Sequence, residues 1–285
     1  MLKPQRALHL FQDLDKKKPK STDEFYYMFE KYDGWYGYMD TQRPEILSRA
    51  GRVIPSVQWL ADKIYEVEGA GPSKRIIFEI LLRDVKDFSK LNGILNRKRE
   101  TAENAYLMVH DVITELDVDK PFNLRYLDAL NTVQRIGSAC VQLAPHMGSS
   151  RRESTWRIAA NGIWESGGEG VILKKCNAPY SSGKHNADLM KIKEEITLDL
   201  IVTGMNQGEG KYEGTLGALL VVDANGRQHT VSGMTDAQRL AWWNNPDEIV
   251  GKIVEIKAMK VLPDGSLREP RFKAIRYDKL RTEVD

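Results

Sequence analysis

The chain has 285 residues, enough for one large or two modest domains. With 41% hydrophobic and 29% charged residues it can bury a core, which excludes wholesale disorder. Its 42 basic residues nearly balance 40 acidic ones, and the net charge of +2 excludes a histone-like polycation while leaving room for local basic patches.

Two cysteines, Cys140 and Cys176, are too few for a disulfide framework or a four-cysteine zinc site, so a reducing cytoplasm is the expected setting. No apolar run approaches the ~18 residues of a membrane span. No apolar core or small-residue cleavage site follows Lys3 and Arg6, so no secretory signal is expected. Residues 1–20 are basic, with Lys16, Lys17, Lys18 and Lys20 against Asp13 and Asp15; they read either as a solvated arm or as a strip that touches phosphate.

Strands are predicted at Phe25–Lys31 and Tyr36–Met39. A helix follows at Ser56–Glu66, where Val57, Leu60, Ala61 and Ile64 fall at helical steps. Ile76–Leu82 is a nearly continuous apolar run and reads as a buried strand, as does Ala105–Ile113. Leu124–Ile136 and residues 153–165 read as helices, the second ended by Gly167 and Gly168. Short strands then follow at Glu169–Lys175, Leu189–Lys193, Leu198–Thr203, Leu216–Val222, His229–Ser232 and Ile253–Ala258. Thr235 is placed to cap a helix running to Trp243. The expected fold is α+β: antiparallel sheets with flanking helices over 1–195, then a small antiparallel barrel of OB type over 196–285.

The most informative stretch is Lys31-Tyr32-Asp33-Gly34. Alternation along a strand puts Lys31 and Asp33 on one face. A lysine there is a nucleophile if burial and neighbouring cations leave it neutral; otherwise it is a surface lysine beside a turn. Glu79 interrupts an apolar strand and needs a hydrogen-bonding, cationic or metal partner. Glu169 and Gly170 stand at the mouth of a strand that carries Lys174. Lys191 and Lys193 alternate with apolar residues, so both ammonium groups share a face. Arg276-Tyr277-Asp278-Lys279 closes the second domain.

In this order the motifs resemble those of the covalent nucleotidyltransferases, most closely the small ATP-dependent DNA ligases of the viral type. The set comprises Lys31 to Gly34, Phe78-Glu79, His110-Asp111, Glu169 to Lys174, Lys191-Ile192-Lys193 and Arg276 to Lys279. It spans the chain from about residue 25 to 280, and Ser48-Arg49 resembles the family's phosphate-contacting element. The stretches 204–219 and 233–239 resemble its C-terminal OB domain. Two positions depart from the pattern. Tyr36 stands where the family usually has an arginine that holds the 5′-phosphate of a nick, and Arg49 or Arg43 are the candidate substitutes. His110 stands where an aromatic ring usually stacks on adenine; it either stacks or is buried as a neutral ring.

The resemblance implies ATP and Mg2+, with Mn2+ as the alternative ion, and nicked duplex DNA as the partner of a monomer working in DNA repair, replication and recombination. It makes Lys31 the nucleophile that takes AMP. Lys191 and Lys193 would neutralise the α-phosphate and help depress the amine's pKa. Glu169 would hold a divalent ion, and Glu79 the ribose or a second ion. Asp33 and Gly34 would shape the turn behind the nucleophile, the carbonyl beside Glu30 would read adenine, and Lys174 belongs to the same pocket. Arg276, Asp278 and Lys279 would act only in self-adenylation, carried by a lid hinged near 194–198; otherwise Arg276 and Asp278 are a surface ion pair.

Gly208-Glu209-Gly210-Lys211 fails as a P-loop, because Met205 and Tyr212 stand where glycine and Ser or Thr are needed. A glycine-rich hairpin is expected instead. His9, His146, His185 and His229 lack metal-like spacing, and Trp242-Trp243 reads as helix packing. Arg151, Arg152, Lys174, Lys175, Lys184, Lys191 and Lys193 are candidates for a basic surface that grips a duplex. The rival readings are an RNA ligase, an mRNA-capping guanylyltransferase and a non-catalytic DNA-binding module.

Overall fold

The computed structural model describes residues 2–10, 24–85, 87–114, 117–262 and 264–285. The run of lysines from Lys16 to Lys20 lies outside the described residues. The chain divides into two compact units, Met1–Lys193 and Glu194–Asp285. Among the described residues no helix is long and apolar enough to cross a membrane.

The first unit holds strands β1 (Arg6–His9), β2 (Tyr26–Glu30), β3 (Trp35–Asp40), β4 (Leu47–Ser48), β5 (Arg75–Leu82), β6 (Ala105–Ile113), β7 (Val141–Leu143), β8 (His146–Ser150), β9 (Gly170–Lys175) and β10 (His185–Lys193). Its helices are α1 (Gln58–Glu68), α2 (Phe88–Leu95), α3 (Phe122–Ile136) and α4 (Glu153–Glu165). The strands form two sheets, ordered β1-β10-β9-β2-β8 and β4-β3-β5-β6-β7. All pairings are antiparallel except β1 with β10 and β6 with β7. The basic N-terminal stretch is therefore in part a strand: Leu8 and His9 of β1 lie beside Met190 and Lys191.

Each sheet has one face covered by helices. On β5, Ile76, Phe78, Ile80 and Leu82 point to one side and join Leu60, Ala61 and Ile64 of α1 in a fully apolar core. Complete burial of Phe78 and Ile80 stabilises this layer by about 1.5–3 kcal/mol per side chain. On the other sheet, Val171, Leu173, Met190 and Ile192 pack against Trp156, Ala160 and Ile163 of α4. Period-2 alternation then commits the intervening residues of both sheets, Glu79 and Lys191 among them, to the opposite faces.

The second unit has β11 (Ile196–Gln207), β12 (Leu216–Val222), β13 (Gln228–Val231), β14 (Ile253–Ala258), β15 (Lys260–Val261), β16 (Leu267–Arg268) and β17 (Arg271–Ile275), with helix α5 (Asp236–Asn244). Thr235 caps α5 in a full capping box with Gln238, worth about 1 kcal/mol. Five strands form an antiparallel sheet ordered β13-β12-β11-β14-β17. The two edge strands meet at a single parallel bridge, Ser232 with Arg271, where the Phe272 N–H donates to the Ser232 carbonyl at 2.7 Å. One bridge is not a ladder, so the expected barrel is found as a sheet whose edges touch rather than as a closed barrel among the described residues. Gly208 to Thr215 is the expected glycine-rich hairpin, pinned by the Gly208 N–H to the Thr215 carbonyl. Trp242 is buried against Phe272, ring centroids 5.2 Å apart, so this tryptophan serves packing.

Candidate active site

The register of three neighbouring strands builds the site. The Lys31 N–H, just past β2, donates to the Gly170 carbonyl at 2.8 Å. Gly170 in turn lies opposite Lys193 on β10. Lys31, the Glu169–Gly170 corner and Lys193 are thus set side by side by backbone pairing alone. Their side chains close the arrangement: Lys31 Nζ donates to Glu169 Oε2 at 2.6 Å, and Lys193 Nζ lies 2.9 Å from Glu169 Oε1. The Glu169 carboxylate is 5% exposed, against 20% for Lys31 and 15% for Lys193. Two register steps along the same face come Ile172 and Lys191, then Lys174.

Two glycines make this closeness possible. Gly170 has φ +143, and a Cβ on it would collide with the Ile192 carbonyl oxygen. A Cβ on Gly34 would come within 2.5 Å of the Ile80 carbonyl oxygen and 2.7 Å of Glu79 Cγ. The Asp33-Gly34 turn is thereby laid directly on β5, which carries Glu79.

The second sheet contributes the facing wall. Glu79 pairs in register with Tyr36 on one side and Met108 on the other. Burial pushes its carboxyl up to about 7, against the opposing pull of Lys31 and Arg49. On β6 the register slips: Phe78 pairs with Val109 but Ile77 pairs with Asp111. His110 is the extra residue, a β-bulge that turns both His110 and Asp111 toward the cavity. Burial and the cations Lys174 and Arg49 hold the His110 imidazole well below its ordinary pKa, so the ring is neutral.

Lys174 lies beneath that ring. It donates to the His110 carbonyl at 2.8 Å, and its Nζ lies 3.2 Å from His110 Nδ1 and 4.6 Å from the Phe122 ring centroid. Burial lowers its pKa to about 8, with Asp111 acting in the opposite sense. Lys174 is 8% exposed and turned inward, so it is not part of a duplex-gripping surface as expected; strand alternation places it on the cavity face. Arg125 of α3 completes this layer, donating to both Asp111 carboxylate oxygens at 2.9 and 3.2 Å. Sequence reading missed Arg125. Its signal was an arginine among the apolar positions of a helix, beside Tyr126 and Ala129.

These groups surround one cavity of about 470 Å³, within the roughly 300–1,000 Å³ of small-molecule sites. It takes in Glu30, Lys31, Tyr36, Arg49, Glu79, His110, Lys174, Lys191 and Lys193. Of the two candidates to replace the arginine at position 36, Arg49 lines the cavity, with its guanidinium 4.6 Å from the Tyr36 ring centroid; Arg43 does not line it. Among the described residues no cluster of three metal-ligating side chains occurs.

In the second unit, Arg276 donates to both Asp278 oxygens at 2.9 and 2.8 Å, and to both Asp199 oxygens at 3.0 Å. This holds the Asp278 carboxyl down to about 2. Lys279 Nζ lies 3.6 Å from Asp199. The Arg276–Asp278 pair is therefore real, and the buried Asp199 anchors it.

Lys31, a carboxylate shared with Lys193 and the paired lysines on one of two facing sheets, followed by an OB-like unit, make up an α+β architecture of the nucleotidyltransferase type. Within it the likeness is to DNA ligases in sequence, and to ATP-dependent DNA ligases in fold. Residues 207–276 match the DNA ligase OB-like domain family. A DNA ligase of Halobacterium salinarum is 34% identical over 147 residues, 42% of this chain and 26% of that protein. The chain therefore matches about a quarter of that relative's length. The solved structure titled as a structure-function analysis of Lig E DNA ligases, DNA binding with a minimal scaffold, superposes with a TM-score of 0.76 at 21% identity, covering 97% of this chain and all of that one. The ATP-dependent DNA ligase of bacteriophage T7, in complex with ATP, superposes with a TM-score of 0.57 at 20% identity, covering 96% and 98%. At such identities the structures establish the shared fold.

Proposed function

We propose that the chain is an ATP-dependent DNA ligase that seals 5′-phosphate/3′-hydroxyl nicks in duplex DNA. The observation that carries this reading is the Lys31–Glu169–Lys193 bridge, at 2.6 and 2.9 Å, whose two lysines line a nucleotide-sized cavity rich in cations.

Lys31 Nζ loses its proton and bonds to the α-phosphorus of ATP, and the bond to pyrophosphate breaks. An oxygen of the nick's 5′-phosphate then attacks the same phosphorus, and the lysine leaves. The 3′-hydroxyl finally attacks the activated 5′-phosphate, and AMP departs. Each step needs in-line geometry and neutralised charge. Lys191 and Lys193 supply cations on the nucleophile's own sheet face, and Asp33 and Gly34 fix the turn behind it. His110, neutral and supported by Lys174, offers the nucleobase a ring to lie on, while the carbonyl beside Glu30 is at hand for its amino group.

Glu79 in the cavity wall and Glu169, already shared by two lysines that line it, cannot cage a cation by themselves. They fit an ion such as Mg2+ that keeps several waters and takes phosphate oxygens as further ligands. Glu169 and Glu79 would hold it, and it would supply charge neutralisation at the transferring phosphate. Arg276, Asp278 and Lys279 are assigned to the first step, borne by a lid that turns on the stretch after Lys193. We read the enzyme as a monomer of the reducing cytoplasm, consistent with two unpaired cysteines.

Incubation with α-labelled ATP and Mg2+ tests the reading. Wild-type protein should take label on one lysine, and Lys31→Ala should take none. A preference for GTP would indicate a capping enzyme, sealing of nicked RNA alone an RNA ligase, and no label at all a binding module.

A further inference from the structure

Arg49 differs from Lys31, Lys193 and Lys174. Lys31 and Lys193 share Glu169, and Lys174 has Asp111 and the His110 carbonyl. Among the described residues no carboxylate lies within ion-pair distance of Arg49, and its guanidinium is seated on the Tyr36 ring, 4.6 Å from the centroid. A stacked guanidinium keeps its donor edges free, and its plane is fixed by the ring beneath it.

The ring itself is pinned. Tyr36 pairs with Glu79 on β5 and packs against the cluster that holds Tyr38, Ile77 and Tyr180. The Tyr180 hydroxyl donates to the Lys3 carbonyl at 3.1 Å and accepts the Gln5 N–H at 3.2 Å. Strand β5, the Tyr180 loop and the N-terminal segment thus hold one aromatic plate at the cavity wall.

We propose that Tyr36 is a positioning residue: its ring fixes the plane of Arg49, the cation that the resemblance already assigns to phosphate, so that the guanidinium meets a phosphate group of the substrate pre-oriented. The inference rests on the nucleotidyl-transfer reading above. The phosphate has two possible sources, the polyphosphate of ATP and the 5′-phosphate of a nick, and the chemistry of recognition is the same for both: bidentate donation from a planar guanidinium.

A double-mutant cycle tests this in two arms. One measures the ATP dependence of self-adenylation, and the other the sealing of 5′-phosphorylated nicked DNA by protein already carrying AMP. Arg49→Ala should lose about tenfold or more in one arm, which identifies the source. Tyr36→Leu should lose about three- to tenfold in the same arm, the scale of a cation–π seat. In the Arg49→Ala background Tyr36→Leu should then cost nothing further. Arg49→Lys keeps the charge but not the stacked fork and should behave like Arg49→Ala, and it reports even if Tyr36→Leu fails to fold. Additive losses, full activity of Arg49→Lys, or no effect of Arg49→Ala in either arm would overturn the inference. Wild-type protein that takes up no AMP would instead overturn the reading it rests on.

Discussion

Replacing Glu169 by glutamine keeps the shape of the side chain and removes its charge. The carboxylate is 5% exposed and bridges two ammonium groups at 2.6 and 2.9 Å. Removing one partner of a buried ion pair costs about 3–5 kcal/mol. Here both lysines reach solvent, at 20% and 15% exposure, and glutamine keeps an acceptor oxygen, so the cost is smaller. We expect about 2 kcal/mol, close to one charge-assisted hydrogen bond. For a unit spanning residues 1–193 that lowers the unfolding midpoint by about 4–8 °C. Calorimetry of the full chain measures it. Pyrophosphate should recover part of the loss in Glu169→Gln, because an anion can take the vacated place between the lysines. A midpoint at or above that of wild type would refute the electrostatic account, since it would mean that Glu169 costs more to bury than its two partners return.

Three further outcomes follow from particular contacts. Gly170→Ala should lower the unfolding midpoint by several degrees, from a clash worth about 2 kcal/mol or more at φ +143, and should reduce AMP uptake because β9 and β10 must part; unchanged uptake would contradict the register argument. Lys174 titrates at about 8 in the folded protein, below its ordinary 10.5, so the folded state holds fewer protons than the unfolded one between those values and stability rises with pH there. The stability difference between wild type and Lys174→Met should accordingly shift in favour of wild type by roughly 2–3 kcal/mol from pH 7 to 10.5, read from urea midpoints; a constant difference would show that Lys174 is not desolvated. Arg276→Ala should slow self-adenylation about tenfold or more, roughly 1.4 kcal/mol, while sealing of a pre-adenylated nick changes less; equal loss in both assays would contradict a first-step role.

The strand-borne part of the site was legible because a strand's side chains obey period 2. Lys191 and Lys193 had to share a face, and so did Lys31 and Asp33, whatever the fold. Ala105–Ile113 was read with its observed bounds, yet the pattern within it hid the bulge at His110, which depends on a register against β5. Arg125 was missed for a related reason: its partner Asp111 faces inward only because of that bulge. Strand β1 was hidden too. Four residues, Arg6 to His9, gain strand character from pairing with β10, nearly 180 positions away, and charge alone made them look solvated. Local periodicity thus recovers which residues share a face, while contacts made across irregular register do not announce themselves in the chain.

The bridge at the centre of the site bears on how the nucleophile is kept and released. In the structure Lys31 is tied to Glu169 and sits on a wall that also presents Lys191 and Lys193. A carboxylate shared by two lysines is matched to neither, and a polyanion entering the cavity offers those lysines a better partner. On the proposed reading, arrival of the triphosphate draws Lys193 toward phosphate, and Glu169 would be left to help hold a divalent ion. On that reading the bridge would hold Lys31 until the group to be attacked arrives. The facing carboxyl of Glu79, raised to about 7 by burial, is pulled the other way by Lys31 and Arg49 and would ionise more readily as a further cation comes to share the wall.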